Sequence, residues 1–292
     1  MAGNTSQVLR RRIRGVREMA KVTGAMELIA GARMRRAEQS ALNARPYVAH
    51  LQELMTVTLS QSGIEADHPF LARPEQGPVL VVHVTTDKGL CGGLNLRLNQ
   101  TLGQFILGQQ APVRVVTVGK KGRDFAVRMG LDLIAEFSEL GESSGVAALR
   151  PLCRLVTDSF MKYEVDSVYL SYPQFVSAVD HQPVVERILP VKAKTSGTDA
   201  TGDVLFEPEV QHVLEHLLRR YVEAIVYHAY LELIASEYSA RMVAMHGATE
   251  SAVEMAEEMT IDLNRSRQAA ITEEICDVSA GAELLTFGGR NE

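Results

Sequence analysis

The sequence predicts an α/β protein built from a long antiparallel coiled coil of N- and C-terminal helices and a central, mostly parallel α/β domain. Three observations predict it. All ten prolines lie between Pro46 and Pro208, which leaves 45 residues at the front and 84 at the back without the residue that breaks helices. Apolar residues recur at steps of three and four along both ends. Between them, short β-branched runs alternate with helical patterns.

The back seam runs through Val210, Leu214, Leu217, Tyr221, Ala224, His228, Leu231, Ala235, Tyr238, Met242, Met245, Thr249, Ala252, Ala256, Met259, Leu263, Ser266 and Ala270. Of these, only His228, Thr249 and Ser266 are not apolar. A 3.5-residue period held this long belongs to a coiled coil. The front seam answers it with Leu9, Ile13, Val16, Ala20, Thr23, Met26, Ala30, Met34, Ala37, Ala41, Ala44, Val48, Leu51 and Met55. One long amphipathic helix cannot cover its own seam, so the two pair. Alanine and methionine dominate both, which suits close and adaptable packing. At about 1.5 Å per residue, a helix over 5–60 spans roughly 80 Å and one over 209–283 roughly 110 Å. The C-terminal helix is therefore expected to outreach its partner, giving a shaft with a single-helix tip.

The middle begins with a polar linker, 62–78, carrying Pro69, Pro74 and Pro78. Val79–Val84 is a continuous apolar run suited to a strand buried on both faces. A glycine-rich loop follows, with a helix from near Leu94. Further strands are expected at Val113–Val118, Leu131–Ile134, Ser167–Tyr172 and Val184–Val191, the last antiparallel to its neighbour. Helices are expected at Arg123–Met129 and 146–163, and a connector at Thr195–Asp203. This alternation implies a Rossmann-like, mostly parallel sheet. The domain bounds are then 1–60, 61–207 and 208–292.

Composition narrows the function. The chain has 292 residues, 46% hydrophobic, enough for a real core, and no Trp. It lacks a run of 18 apolar residues, and its first 20 are too charged for a secretory leader, so it reads as a soluble intracellular chain. Cys91, Cys153 and Cys276 are widely spaced and without a CxxC pair, and read as reduced thiols. The net charge of −6 is uneven: residues 1–50 sum to +7 and the remainder to −13. Basic residues from Arg10 to Arg45 could serve nucleic acid, but no aromatic residues interleave for base stacking. An acidic stretch, Glu254 to Asp277, favours a solvated face meeting partner chains instead.

Catalytic and ligand-binding patterns are thin. Gly89-Leu90-Cys91-Gly92-Gly93 follows a strand and precedes a helix, as phosphate-cradling loops do. It matches neither GxGxxG nor GxxxxGK[ST], so tight turning and close packing explain the glycines better. His212 and His216 stand four apart on a helix without a third ligand nearby in sequence. No metal site and no cofactor is expected. The sequence offers no chemistry of its own.

Three segments, taken together, resemble the γ subunits of F-type ATP synthases of the bacterial type. The first comprises Ile13-Arg14-Gly15-Val16, Lys21-Val22-Thr23-Gly24-Ala25-Met26-Glu27-Leu28-Ile29-Ala30, Met34-Arg35-Arg36 and Arg45-Pro46-Tyr47. The second is Thr86-Asp87-Lys88-Gly89-Leu90-Cys91-Gly92-Gly93-Leu94-Asn95. The third joins Ala235-Ser236-Glu237-Tyr238-Ser239-Ala240-Arg241-Met242-Val243-Ala244-Met245 to Asn264-Arg265-Ser266-Arg267-Gln268-Ala269-Ala270-Ile271-Thr272-Glu273-Glu274-Ile275.

The resemblance implies a non-catalytic rotor, one copy per complex, coupling ion flow through a membrane ring to nucleotide chemistry at α/β subunit interfaces. Its implied partners are the α and β subunits, the ε subunit, the membrane c-ring and, indirectly, δ. Its implied place is the cytoplasmic face of the inner membrane, as a peripheral component. Carried over by position, Arg267, Gln268, Thr272 and Glu274 fall where the upper helix meets the β catch loop. Arg241 and Met26 fall at contacts to the lower β region. Asp87, Lys88, Gly89, Leu90, Cys91, Gly92 and Gly93 form the foot loop. Three positions depart from the family's usual residues: Gly24 and His246 each stand for a Lys, and Lys88 for an Arg. The tail from Leu285 runs past the common ending, and no cysteine-pair insertion of the photosynthetic redox type is present. Two readings of other classes stand beside this one. One is a nucleotide-binding α/β enzyme with a helical oligomerisation arm; the other is a basic coiled-coil binder of nucleic acid.

Overall fold

The computed structural model describes residues 2–62, 77–141, 145–191, 207 and 210–288. In chain order the elements are α1 (Ala2–Ser62), β1 (Val79–Val84), α2 (Leu94–Leu107), β2 (Val113–Val118), α3 (Lys120–Arg128), β3 (Asp132–Phe137), α4 (Val146–Met161), β4 (Ser167–Phe175), β5 (His181–Leu189) and α5 (Val210–Gly288). Nearly all of the predicted linker 62–78, the connector Thr195–Asp203 and the last four residues of the tail lie outside the described residues. The chain divides into a terminal unit, Met1–Leu28 with Ala244–Glu292, and a central unit, Ile29–Val243.

In the terminal unit the expected seam is covered. Ile13, Met245, Ala252 and Ala256 are buried, and Leu9, Val16, Ala20, Thr23 and Met26 are half-buried. The helices run antiparallel, since Thr23 meets Thr249 (2.7 Å between hydroxyls) while Glu27 meets His246. Gly24 faces Thr249, and a Cβ there would make only ordinary contact, at 3.8 Å. Space therefore does not require the glycine. It lowers helix propensity by about 1 kcal/mol relative to alanine, and nothing in the structure explains it.

In the central unit the seam continues through Ala30, Ala37, Ala41, Val48, Leu51 and Met55 of α1 and Leu214, Tyr221, Ala224, Leu231, Ala235 and Tyr238 of α5, all buried. α1 carries Pro46 in its interior. A proline there removes the bond to Leu42 and costs about 3 kcal/mol in a helix. The turn is held from both sides by the buried Ala41 and Val48, and by Arg45 just before the proline. Arg45 Nε donates to Glu232 Oε1 (2.9 Å), and its Nη2 donates to the carbonyl of Phe175 (2.6 Å). Glu232 has no exposed surface and also accepts the Phe175 N–H (2.7 Å). One carboxylate thus joins α1, α5 and the end of β4.

The sheet order is β3-β2-β1-β4-β5, parallel except for β5. Alternation sorts β1 between two faces. Leu80, Val82 and Val84 join the large core with α4 and the long helices, through Leu149, Leu152, Cys153, Val156 and Phe160. Val79 and Val81 pack with Leu102 and Phe105 of α2 and Phe125 of α3.

Several boundaries differ from the sequence expectation. β3 extends to Phe137 because Ala135, Glu136 and Phe137 pair with Val116, Thr117 and Val118. α3 starts at Lys120, not Arg123, because its first N–H has an acceptor in Asp87. β4 and β5 extend toward their turn until Phe175 pairs with His181. The facing prolines Pro173 and Pro183 hid this. β1 stops pairing at Ser171, so the missing N–H of Pro173 interrupts no ladder on that side, and β5 is an edge strand.

His83 occupies the middle of the sheet and is fully buried. Its Nε2–H donates to Asn99 (3.0 Å) and its Nδ1 accepts from Ser171 (3.0 Å), so both ring nitrogens are used in the neutral form. Burial pushes its pKa down from 6.5 to about 4, against the opposing pull of Asn99. The folded value lies below the unfolded one. The resulting stability is therefore complete above about pH 6.5 and is lost as the pH falls toward 4, on the order of 3 kcal/mol in all. Urea midpoints measured across that window should fall with acidification, and His83→Gln should flatten the slope. A second expectation concerns the buried ion pair. Arg45→Ala strands a carboxylate and should cost about 3 kcal/mol in urea unfolding. The double change Arg45→Met with Glu232→Leu should recover part of that loss, with Phe175 N–H left without its acceptor.

Candidate functional site

The loop from Thr85 to Asn95 is built by hydrogen bonds more than by apolar packing. Thr85 leaves β1 and donates to Val118 O (2.9 Å) while accepting the Gly122 N–H (2.7 Å). The backbone of Gly119 passes so close that a Cβ would lie 2.1 Å from Thr85 O, and its φ is +89°, so only glycine fits. Asp87 bridges two elements: Oδ1 accepts the Lys120 N–H (3.1 Å) and Oδ2 the Glu139 N–H (3.0 Å). It supplies an acceptor for the first turn of α3, whose own N-cap, Gly119, has no side chain to give. Asn95 closes the loop through Nδ2, which lies 2.8 Å from Thr86 Oγ1 and 3.2 Å from Cys91 Sγ.

This construction divides the foot loop. Cys91 is buried and its thiol is pushed up, first by burial and then by Glu237. Lys88, Gly89, Leu90, Gly92 and Gly93 are exposed; Leu90 and Gly92 hold left-handed conformations at φ 62° and 56°. A parallel sheet whose strand order reverses beside β1 commonly binds ligands at this rim. Here α5 covers part of it. Ala240 packs with Cys91, Leu94 and Leu98.

Arg241 secures that cover. Its Nη2 donates to Gly89 O (3.2 Å) and pairs with Glu237 (2.6 Å), with only 11% of its side chain exposed. Its guanidinium also stands 5.8 Å from the Tyr238 ring centroid, as does that of Arg33. The structure therefore gives Arg241 partners inside the central unit.

The remaining predicted residues lie in the terminal unit. Arg267, Gln268, Thr272 and Glu274 are exposed, with the Thr272 hydroxyl donating back to Gln268 O (2.9 Å). Met26 is half-buried. Beyond Ala270 the seam ends while α5 continues: every residue from Ile271 to Ser279 is exposed, including Ile271, Ile275 and Val278 on one face. A helix with an uncovered apolar face is typical of an interaction surface. His212 and His216 are both exposed, ring centroids 6.3 Å apart, and no metal-binding cluster of His, Cys, Asp or Glu occurs among the described residues.

Sequence reasoning found the loop but missed why Asp87 is an acid and missed the Arg45–Glu232 pair. A signal for the second existed: Glu232 is the one charge in the apolar run from Tyr230 to Ala235. Arg241→Ala should loosen the loop without unfolding the sheet. Hydrogen exchange should accelerate about tenfold at residues 88–95, the scale of one charge-assisted bond, with β1 and β4 amides unchanged.

Comparison with known proteins places these features together. Residues 5–285 match the ATP synthase family. The ATP synthase gamma chain of Dehalococcoides mccartyi is 43% identical over 281 residues, covering 96% of this chain and 98% of the relative. That of Herpetosiphon aurantiacus is 38% identical over 291 residues, covering 96% and 99%. A chain in the cryo-EM structure of the Euglena gracilis mitochondrial ATP synthase (OSCP/F1/c-ring, rotational state 3) shares the fold. Its TM-score is 0.69 at 16% identity, over 99% of this chain and 97% of that one. A chain in the Tetrahymena thermophila central stalk and c-ring structure gives a TM-score of 0.60 at 22% identity, over 78% and 99%. By near full-length identity to these relatives, the chain belongs to the ATP synthase gamma-chain family.

Proposed function

We propose that this chain is the central rotor shaft of a membrane-bound F-type ATP synthase, coupling ion passage through a membrane ring to ATP synthesis or hydrolysis. The observation that carries the reading is the exposed end of α5, where a seam covered through Ala270 gives way to an uncovered face. In this reading the α and β subunits surround the helices and hold the catalytic sites. The sheet and its Asp87–Gly93 loop face the ε subunit and the c-ring, and δ connects only indirectly. The chain carries no catalytic group and needs no cofactor. Its described residues include no helix long and apolar enough to cross a membrane. It is held at the cytoplasmic face of the inner membrane by those partners.

Coupling then follows from differential contact. A β subunit that switches between conformations is biased only by a partner that binds those conformations unequally. A helix pair presents a different surface to each of three surrounding subunits, so turning it redistributes their conformations. Arg267, Gln268, Thr272 and Glu274 suit transient latches, because charge-assisted bonds break and reform as the surface turns. Met26 would contact the lower β region directly. Arg241, with its contacts inside the central unit, would act on coupling by holding the loop against α5.

The test is reconstitution. Cognate α and β chains should co-elute with this chain, and ATPase turnover should rise strongly on its addition. Arg267→Ala combined with Gln268→Ala should keep co-elution while lowering turnover about tenfold. Failure to associate, with nucleotide bound by the isolated chain instead, would return the Gly89–Gly93 loop to the reading of a nucleotide-binding enzyme.

A further inference from the structure

In the terminal unit, His246 of α5 stands between two carboxylates. Its Nδ1 lies 3.0 Å from Glu27 Oε1 on α1, and its Nε2 lies 3.4 Å from Glu250 Oε1 one turn further along α5. An ionised carboxylate only accepts hydrogen bonds, and a neutral imidazole carries a single N–H. Both contacts therefore hold together only when both ring nitrogens bear hydrogen. In the neutral ring, one nitrogen would aim its lone pair at a carboxylate, and the two acids would face each other without a cation between them. Among the described residues, Glu27 and Glu250 are the carboxylates within ion-pair distance of His246. The neighbouring contact between the two helices, Thr23 with Thr249, has no titratable group.

We propose that His246 is a proton-operated clasp between α1 and α5: protonated, it ties Glu27 to Glu250, and neutral, it releases one of them. Histidine is the side chain whose charge ordinarily changes between pH 5 and 8. The site is half open to solvent, with side-chain exposures of 59% for His246, 28% for Glu27 and 66% for Glu250. Water and ions screen such a pair, so it biases the helix pair without fixing it. Glu27 adjoins Met26, so the clasp also decides whether a carboxylate beside Met26 is turned to α5 or left for another chain. That last consequence rests on the rotor reading; the clasp itself does not.

The experiment is hydrogen exchange of the full-length chain at about pH 6 and about pH 8, corrected for intrinsic rates and read at 20–27 and 245–253. Protection should be about threefold greater at the lower pH, the scale of an exposed ion pair. The sign is diagnostic, because His83 makes the sheet less stable as pH falls. His246→Gln should abolish the gain, and His246→Lys, always charged, should keep protection high at both pH values. Protection independent of pH in the natural chain, or the same gain surviving in His246→Gln, would overturn the clasp.

Discussion

The central unit depends on one carboxylate. Glu232 is wholly buried, and it satisfies Arg45 of α1 and the backbone of Phe175 at once. An apolar contact is non-directional and lets a helix rotate about its axis at little cost. A buried charge with fixed partners does not. On the same side of α5, Ser236 donates to Pro173 O and Ser239 to Ala178 O, while Arg241, half a turn round the helix from Glu232, donates to Gly89 O. Polar groups on two sides of the helix thus reach the end of β4, the turn after it and the loop after β1 at one rim of the sheet. Apolar packing holds the sheet to the helix, and these bonds fix its angle.

Alanine explains how the fixing stays compatible with a long seam. Ala30, Ala37 and Ala41 of α1 and Ala224 and Ala235 of α5 bury little area each, but let the helix axes approach closely. Close axes bring short polar groups within reach, as with Thr23 and Thr249 in the terminal unit. A leucine seam would bury more surface and hold the backbones too far apart for two threonine hydroxyls to meet. Stability per residue is exchanged for register, the role that single polar positions serve in coiled coils.

Local patterns placed the helices, their seams and all five strands, with β1 and β2 matched to the residue. Both signals are local: each seam position repeats within one helix, and a run such as Val79–Val84 is apolar throughout because both faces of the sheet are covered. What stayed hidden depends on residues far apart in sequence. Asp87 meets N–H groups 33 and 52 residues away, and Arg45 meets Glu232 across 187. No spacing rule connects such pairs. Arg241 shows a subtler limit. Its place in a family block marks it as important, but only coordinates show that its guanidinium is turned to Gly89 and Glu237.

The interior and the rim also divide the titratable groups between them. Burial drives His83 down to about 4, lowers His228, and raises Cys91 and Glu186, each toward its neutral form. Cys153 is raised to about 12 by the same cause. An interior arranged this way keeps its charge pattern fixed over ordinary changes of pH, except where Arg45 and Glu232 neutralise one another. The outer surface of the helices carries charges of another kind, as where His246 stands between Glu27 and Glu250. The interior frame thus keeps its charge, and a response to protons is left to surface groups such as the proposed clasp, where solvent has access.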